Sequence, residues 1–241
     1  MKTHKKIAVI VVAGGSGKRM KTSEPKQFLS LLGKPVLLHS LLPFQHSEMV
    51  SRIILVAPAN ELERCRHQIV DAYHLHKVTR IVAGGEERAD SVKAGLKALG
   101  SGEDYIAVHD GARPLIEIKS IEQVFNEAIR TGAAMLVQPI TDTVKEVNES
   151  GEVQRTISRE KLRLAQTPQV FSAEWLRKAY DGFPVDSKAT DDAGVMEYAG
   201  YPVKTVCGNT ANIKITTPDD LAIAEFILEQ RSRDHENRNR I

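Results

Sequence analysis

Six short runs rich in β-branched and apolar residues recur along the chain, at residues 7–12, 52–57, 78–83, 105–108, 133–137 and 203–207. Runs of this length, bounded by turn-forming residues, predict strands. Between them, residues 61–73, 88–99 and 118–130 carry apolar positions at helical spacing. Alternating strands and helices predict an α/β fold with a mostly parallel sheet flanked by helices on both faces. The first run, IAVIVV, is apolar at odd and even positions alike, as a central strand covered on both faces must be. In open sheets of this class ligands gather beyond the carboxyl ends of the strands.

Residues 141–159, reading TDTVKEVNESGEVQRTISR, break the alternation. Two polar arms of β propensity flank Asn148, Glu149, Ser150 and Gly151, which predicts a hairpin. With Val144, Val147 and Val153 but little else apolar, it has no way to bury itself on its own sheet and is expected to project. The last helix opens at Thr217, Pro218, Asp219 and Asp220: a capping threonine, a proline in the first turn and carboxylates at the positive dipole end. Its inner stripe is Leu221, Ala224 and Leu228. Beyond Leu228 the sequence is EQRSRDHENRNRI. The expected organisation is therefore a single domain over residues 1–228 and a frayed polar tail without function over residues 229–241.

Composition narrows the partners. The 241 residues include 33 Lys+Arg and 31 Asp+Glu, a formal charge of +2. With 5% aromatic residues the chain has few rings on which to stack unpaired bases, so nucleic acid is not an expected partner. The longest stretch without Lys, Arg, Asp or Glu, residues 35–47, falls short of the roughly 20 apolar residues of a membrane span. Residues 1–6 are basic, but the apolar run that follows enters a glycine cluster without a signal-peptide cleavage site, so a cytoplasmic location is expected. Cys65 and Cys207 are far apart and belong to no C-x-x-C, which leaves neither a disulfide framework nor a zinc site.

The most informative stretch follows the first strand: AGGSGKRM at residues 13–20. Glycines after a buried strand let backbone N–H groups approach phosphate oxygens. A Walker loop is excluded, because Val12 stands where its first glycine belongs and Arg19 where its Ser or Thr belongs. A dinucleotide fingerprint would need a third small residue at Met20. The sequence PKQF follows at residues 25–28, so the guanidinium of Arg19 and the ammonium of Lys26 can meet a polyphosphate from two sides. Further on, GGEERADSV at residues 84–92 and HDGARP at residues 109–114 each follow a predicted strand. Asp110 is placed either to face a Mg²⁺–phosphate or to form a structural pair with Arg113. TPQ at residues 167–169, TDDA at 190–193 and NIK at 212–214 complete the set.

In this order, from residue 7 to residue 228, the motifs resemble those of the 2-C-methyl-D-erythritol 4-phosphate cytidylyltransferase family of the non-mevalonate isoprenoid pathway. The resemblance implies a Rossmann-like domain and a homodimer in which residues 141–159 form the arm that clasps the second subunit. It implies CTP and a small sugar-alcohol phosphate as substrates, with Mg²⁺ or another divalent cation as cofactor and Asp110 as its candidate ligand. Ala13, Gly14, Gly15 and Gly17 match the positions that hold the triphosphate, and Arg19 and Lys26 those that stabilise the transition state. Gly85, Glu86 and Ser91 match the cytidine-recognising positions, Glu86 standing where many relatives carry aspartate. Asp110, Arg113, Thr143, Arg159, Thr190 and Lys214 match the sugar-phosphate side, with Arg159 and Lys214 positioning the attacking phosphate. Pentitol-phosphate cytidylyltransferases, such as those acting on ribitol 5-phosphate, share the glycine loop, PKQF and TPQ. The ADSVKAGL, HDGARP and TDDAG stretches resemble the methylerythritol branch more closely. A nucleotide sensor that has lost catalysis is the alternative from another class.

Overall fold

The computed structural model describes residues 5–14, 20, 24–184 and 189–238. In chain order the elements are β1 (Ile7–Val12), a 3₁₀ turn (Lys26–Phe28), β2 (Ser30–Leu31), β3 (Lys34–Pro35), α1 (Val36–His46) and β4 (Val50–Ala57). A 3₁₀ turn (Ala59–Glu61), α2 (Leu62–Cys65) and a π-helical turn (Arg66–Asp71) lead to β5 (Val78–Ala83), α3 (Arg88–Leu99), β6 (Tyr105–Asp110), α4 (Ile118–Thr131) and β7 (Ala133–Pro139). Then come β8 (Val144–Val147), β9 (Val153–Ile157), β10 (Arg163–Ser172), α5 (Ala173–Gly182), α6 (Asp192–Tyr198), β11 (Lys204–Cys207) and α7 (Pro218–Arg238).

Seven strands form one sheet in the order β11-β7-β10-β6-β1-β4-β5. β1 lies at its heart, parallel to β4 and β6, and its alternating side chains enter two different cores. Val9 and Val11 pack with Leu41 and Phe44 of α1 and Phe125 of α4. Ala8 and Ile10 pack with Val92 and Leu96 of α3 and Leu176 of α5. The predicted three-layer α/β fold is therefore present, and the both-faces apolar pattern of IAVIVV has the cause assigned to it.

β10 and α1 are among the elements that the pattern does not announce. β10 runs antiparallel to both β6 and β7, and its sequence, RLAQTPQVFS, has neither a continuous apolar run nor strict alternation. Pro168 sits where the register with β7 breaks between Ala165 and Gln169, so its missing N–H removes no rung there. α1 is apolar nearly all round and carries Pro43 within it.

β8 and β9 pair in a sheet of their own, joined by a turn in which Gly151 takes φ +83°, a conformation that favours glycine. Val147 and Val153 pair across this hairpin and stay 54% and 61% exposed. At the other end of the chain, α7 continues to Arg238 and corrects the expected frayed tail after Leu228. Arg231 explains part of the extension: it meets the Glu117 carboxylate at 2.5 Å and donates to the Leu115 carbonyl at 3.0 Å.

α3 approaches β1 and β4 closely because Gly95 has no side chain. A β-carbon there would lie 2.6 Å from Cγ2 of the fully buried Ile10 and 3.2 Å from Val56 Cγ2. Gly95→Val is expected to cost about 2–3 kcal/mol through overpacking, read as a lower urea midpoint at unchanged slope. An unshifted midpoint would show that α3 yields without cost.

Candidate active site

The site is built at the carboxyl ends of the parallel strands. β1 hands over to Ala13 and Gly14, held in place by the Ala13 N–H to Val56 carbonyl bond at 2.7 Å and the Gly111 N–H to Val12 carbonyl bond at 2.8 Å. β5 leads through Gly84 and Gly85 to α3, whose start is fastened by a capping box: the Glu87 N–H donates to Asp90 Oδ2 at 3.3 Å while the Glu87 side chain accepts from the Asp90 N–H. A β-carbon on Gly85 would lie 2.4 Å from Asp90 Cβ, so glycine there is required by packing against that cap.

Ala13, Gly14, Lys26, Glu86, Ser91, Asp110 and Lys214 line one cavity of about 170 Å³. Arg113 and Thr190 line a second, of about 190 Å³, together with Gln166, Thr167, Gln169 and Asp191. Arg88, Asp110 and Lys214 belong to both walls. The structure thus brings together two groups that the sequence places far apart. Gly85, which precedes Glu86 in the chain, is not among the residues that line the first cavity. Thr143 and Arg159 line neither; they stand exposed on the hairpin segment, where Arg159 donates to the Thr141 carbonyl. The predicted Gly15, Gly17 and Arg19 lie outside the described residues.

Asp110, at the end of β6, is the electrostatic centre. Its carboxylate lies 3.0 Å from Lys214 Nζ, 3.4 Å from Arg113 Nε and 3.5 Å from Arg88 Nε. Burial alone would raise its pKa, but Lys214, Arg88 and Arg113 outweigh burial and hold it far below the usual carboxylate range. Of the two readings left open by the sequence, the pair with Arg113 is present, and Asp110 also lines both cavities. Arg113 is fixed in turn by the Asn212 carbonyl at 2.8 Å. Arg88 donates through Nη2 to Asp192 Oδ2 at 2.6 Å, and Asp192 also accepts from the Tyr180 hydroxyl at 2.6 Å.

Behind Asp110, the Thr167 hydroxyl accepts from the Asp110 N–H at 3.0 Å. His109 Nε2 faces the Arg113 carbonyl at 3.4 Å; a carbonyl can only accept, so Nε2 carries the proton of the neutral ring and Nδ1 accepts from the Thr167 hydroxyl at 3.0 Å. His109 is fully buried, and burial pushes its pKa down to about 3. It is a neutral structural group that links β6 to β10.

Among the described residues no cluster of three or more His, Cys, Asp or Glu side chains is gathered for a metal. An ionised carboxylate on the cavity wall nevertheless suits Mg²⁺, which keeps waters and substrate phosphates in its shell and needs few protein ligands. Arg88, Gln166, Gln169 and Asp192 were not singled out as site residues from the sequence. Arg88 carried a signal: a cation at the first position of a helix opposes its dipole and calls for a reason.

An α/β sheet whose carboxyl edge joins a glycine-bearing turn, a helix start and a cluster of cations defines a phosphate-binding enzyme of the open-sheet class. The family model described as IspD, 2-C-methyl-D-erythritol 4-phosphate cytidylyltransferase, matches residues 7–230. Proteins of that name from Alkaliphilus metalliredigens and Syntrophus aciditrophicus are 46% and 44% identical, over 94% and 93% of this chain and 94% and 97% of theirs. The solved 4-diphosphocytidyl-2C-methyl-D-erythritol synthase from Anaerococcus prevotii superposes with a TM-score of 0.81 at 29% identity, over 94% of this chain and 99% of that one. The Thermus thermophilus cytidylyltransferase gives 0.73 at 30% identity, over 92% and 98%. The chain belongs to the 2-C-methyl-D-erythritol 4-phosphate cytidylyltransferase family.

Because the folded pKa of His109 lies below the ordinary imidazole value of 6.5, the unfolded chain takes up the extra proton first, and stability falls as pH drops from 6.5 toward about 3. His109→Gln keeps an acceptor for Thr167 without titrating. Between pH 7 and pH 4.5 the unaltered protein should lose about 2 kcal/mol more stability than this variant, measured by urea unfolding. Parallel losses would place the imidazole in a wetter site.

Proposed function

We propose that the protein transfers the cytidylyl group of CTP to 2-C-methyl-D-erythritol 4-phosphate, giving 4-diphosphocytidyl-2-C-methyl-D-erythritol and pyrophosphate for isoprenoid precursor synthesis. The observation that carries the reading is the shared wall of Arg88, Asp110 and Lys214 between two cavities. A nucleotide in one and an acceptor in the other would meet across it.

An oxygen of the acceptor phosphate attacks the α-phosphorus in line, a new P–O bond forms, and the bond to the β-phosphate oxygen breaks. A phosphate monoester has a second pKa of about 6 and is already ionised at neutral pH, so no general base is needed. The obstacle is repulsion between anions, and the protein's part is to place cations where charge builds. Ala13, Gly14, Gly15 and Gly17 cradle the triphosphate, Arg19 and Lys26 stabilise the transition state, and Gly85, Glu86 and Ser91 recognise the cytidine. Arg113, Thr190 and Lys214 receive the acceptor. Mg²⁺, held by Asp110 and the triphosphate oxygens, would supply further charge neutralisation when bound.

Thr143 and Arg159 fit this scheme from a second copy of the chain. They lie on a hairpin with its own small sheet and exposed valines, and they line neither cavity of their own protomer. A homodimer in which the hairpin enters the partner's acceptor side would place both residues on the attacking phosphate. No described helix is long and apolar enough to cross a membrane. Cys65 and Cys207 are both free, as suits a reducing compartment, and the cytoplasm is the proposed location.

Incubation with CTP, Mg²⁺ and each acceptor in turn should release pyrophosphate with 2-C-methyl-D-erythritol 4-phosphate and not with ribitol 5-phosphate. The reverse preference would assign the pentitol branch, and CTP binding without release would indicate a sensor. Lys26→Ala should lower turnover about a hundredfold to a thousandfold, and Arg159→Ala should act chiefly on acceptor use. When the two variants are mixed and allowed to exchange subunits, about a quarter of normal activity should return, because each mixed dimer of a two-fold pair regains one intact site. No recovery would remove the hairpin from the partner's site.

A further inference from the structure

Arg88 is the feature of the site that the foregoing roles leave unexplained. It occupies the first position of α3, where a cation works against the helix dipole, yet the chain places it there beside Glu86 and Glu87, which suit that end. Its side chain is 21% exposed and lines both cavities. The two carboxylates it meets come from different parts of the fold. Asp110 ends β6, and Asp192 begins α6, two residues after the acceptor-side Thr190.

The two contacts are unequal. The bond to Asp192 is short, 2.6 Å, and Asp192 is fully buried and backed by the Tyr180 hydroxyl at 2.6 Å. The contact with Asp110 is long, 3.5 Å, and Asp110 is held more closely by Lys214 at 3.0 Å. Arg88 is thus anchored at one end and presents the other, through Asp110, to the lysine that faces both cavities. A rigid fork of planar donors spans the two carboxylates in a fixed geometry; a lysine ammonium is a compact point charge on a flexible stem and does not fix their separation in the same way.

We propose that Arg88 is a positioning residue for the transfer, fixing the α6 start against the end of β6 so that Thr190 and Lys214 hold the acceptor phosphate in line with the nucleotide. The proposal rests on the cytidylyltransferase reading above. Arg88 acts through its short bond to Asp192, which opens α6 two residues after Thr190, so its replacement bears on acceptor placement more than on nucleotide binding. Misplacement of a reacting group by about 1 Å costs on the order of a hundredfold in rate.

The test compares Arg88→Lys with the unaltered protein. CTP binding is followed by calorimetry without acceptor, and the initial rate is measured against acceptor concentration at saturating CTP. The expected result is CTP affinity within about twofold and kcat/KM for the acceptor lowered about tenfold to a hundredfold. A merely structural arginine would lower thermal stability and leave the kinetics of the folded variant unchanged, and that result overturns the proposal. Equal losses in CTP affinity and acceptor use overturn it as well, since Arg88 would then serve the nucleotide. Should Arg88→Lys not fold, Tyr180→Phe decides, because it loosens Asp192 from behind while keeping the ring. An acceptor kcat/KM lowered about threefold or more supports the proposal, and an unchanged value overturns it. Absence of transfer by the unaltered protein would overturn the functional reading together with this proposal, whereas normal transfer with an indifferent variant overturns this proposal alone.

Discussion

Burying a carboxylate at the end of a central strand is the demand around which the site is organised. Water would solvate Asp110; at the β6 terminus it is largely withdrawn from water, and an uncompensated charge there would be costly. The compensation comes from three directions: Lys214 before α7, Arg113 from the turn after β6, and Arg88 from the start of α3. Each cation draws its own segment toward one point. The convergence of these segments, with Thr190 carried on the loop tied to Arg88 through Asp192, gives two cavities a common wall.

The sheet makes that convergence possible. Parallel strands bring their carboxyl ends to one edge, so β1, β5 and β6 deliver a glycine turn, a helix start and an aspartate to neighbouring places. β10 closes the arrangement from the other side, since its antiparallel course sets Thr167 beside His109 and Asp110. The buried neutral imidazole then holds the backbone carbonyl of Arg113, joining the polar cluster to the sheet.

Much of this arrangement is legible in the sequence. An apolar run of six residues announces β1, β-branched residues announce β5, and Asn148 to Gly151 announce the polar hairpin. The family resemblance implies Asp110, Arg113, Ser91 and Lys214 as site residues, and all four line one or other of the two adjoining cavities. What escaped was information that exists only in three dimensions. β10 derives its strand character from pairing with β6 and β7, against a sequence with a proline and two glutamines. Arg88 looked like one more charge in a polar turn until Asp192, distant in sequence, proved to be its partner. The tail after Leu228 was judged by composition, which misses the ion pair between Arg231 and Glu117 that anchors α7 to the body of the fold.

The hairpin leaves the sheet between β7 and β10, and those strands are themselves antiparallel neighbours, paired as far as Pro139 with Arg163. Topologically it is an enlarged loop on an already closed ladder. The ends of such a loop are held together by the sheet whatever lies between them, and lengthening it costs chain entropy only logarithmically. The excursion can therefore change in length, sequence and tilt while the ladder beneath it keeps its register. The fold separates what must stay fixed for chemistry from what can drift to suit a neighbouring surface.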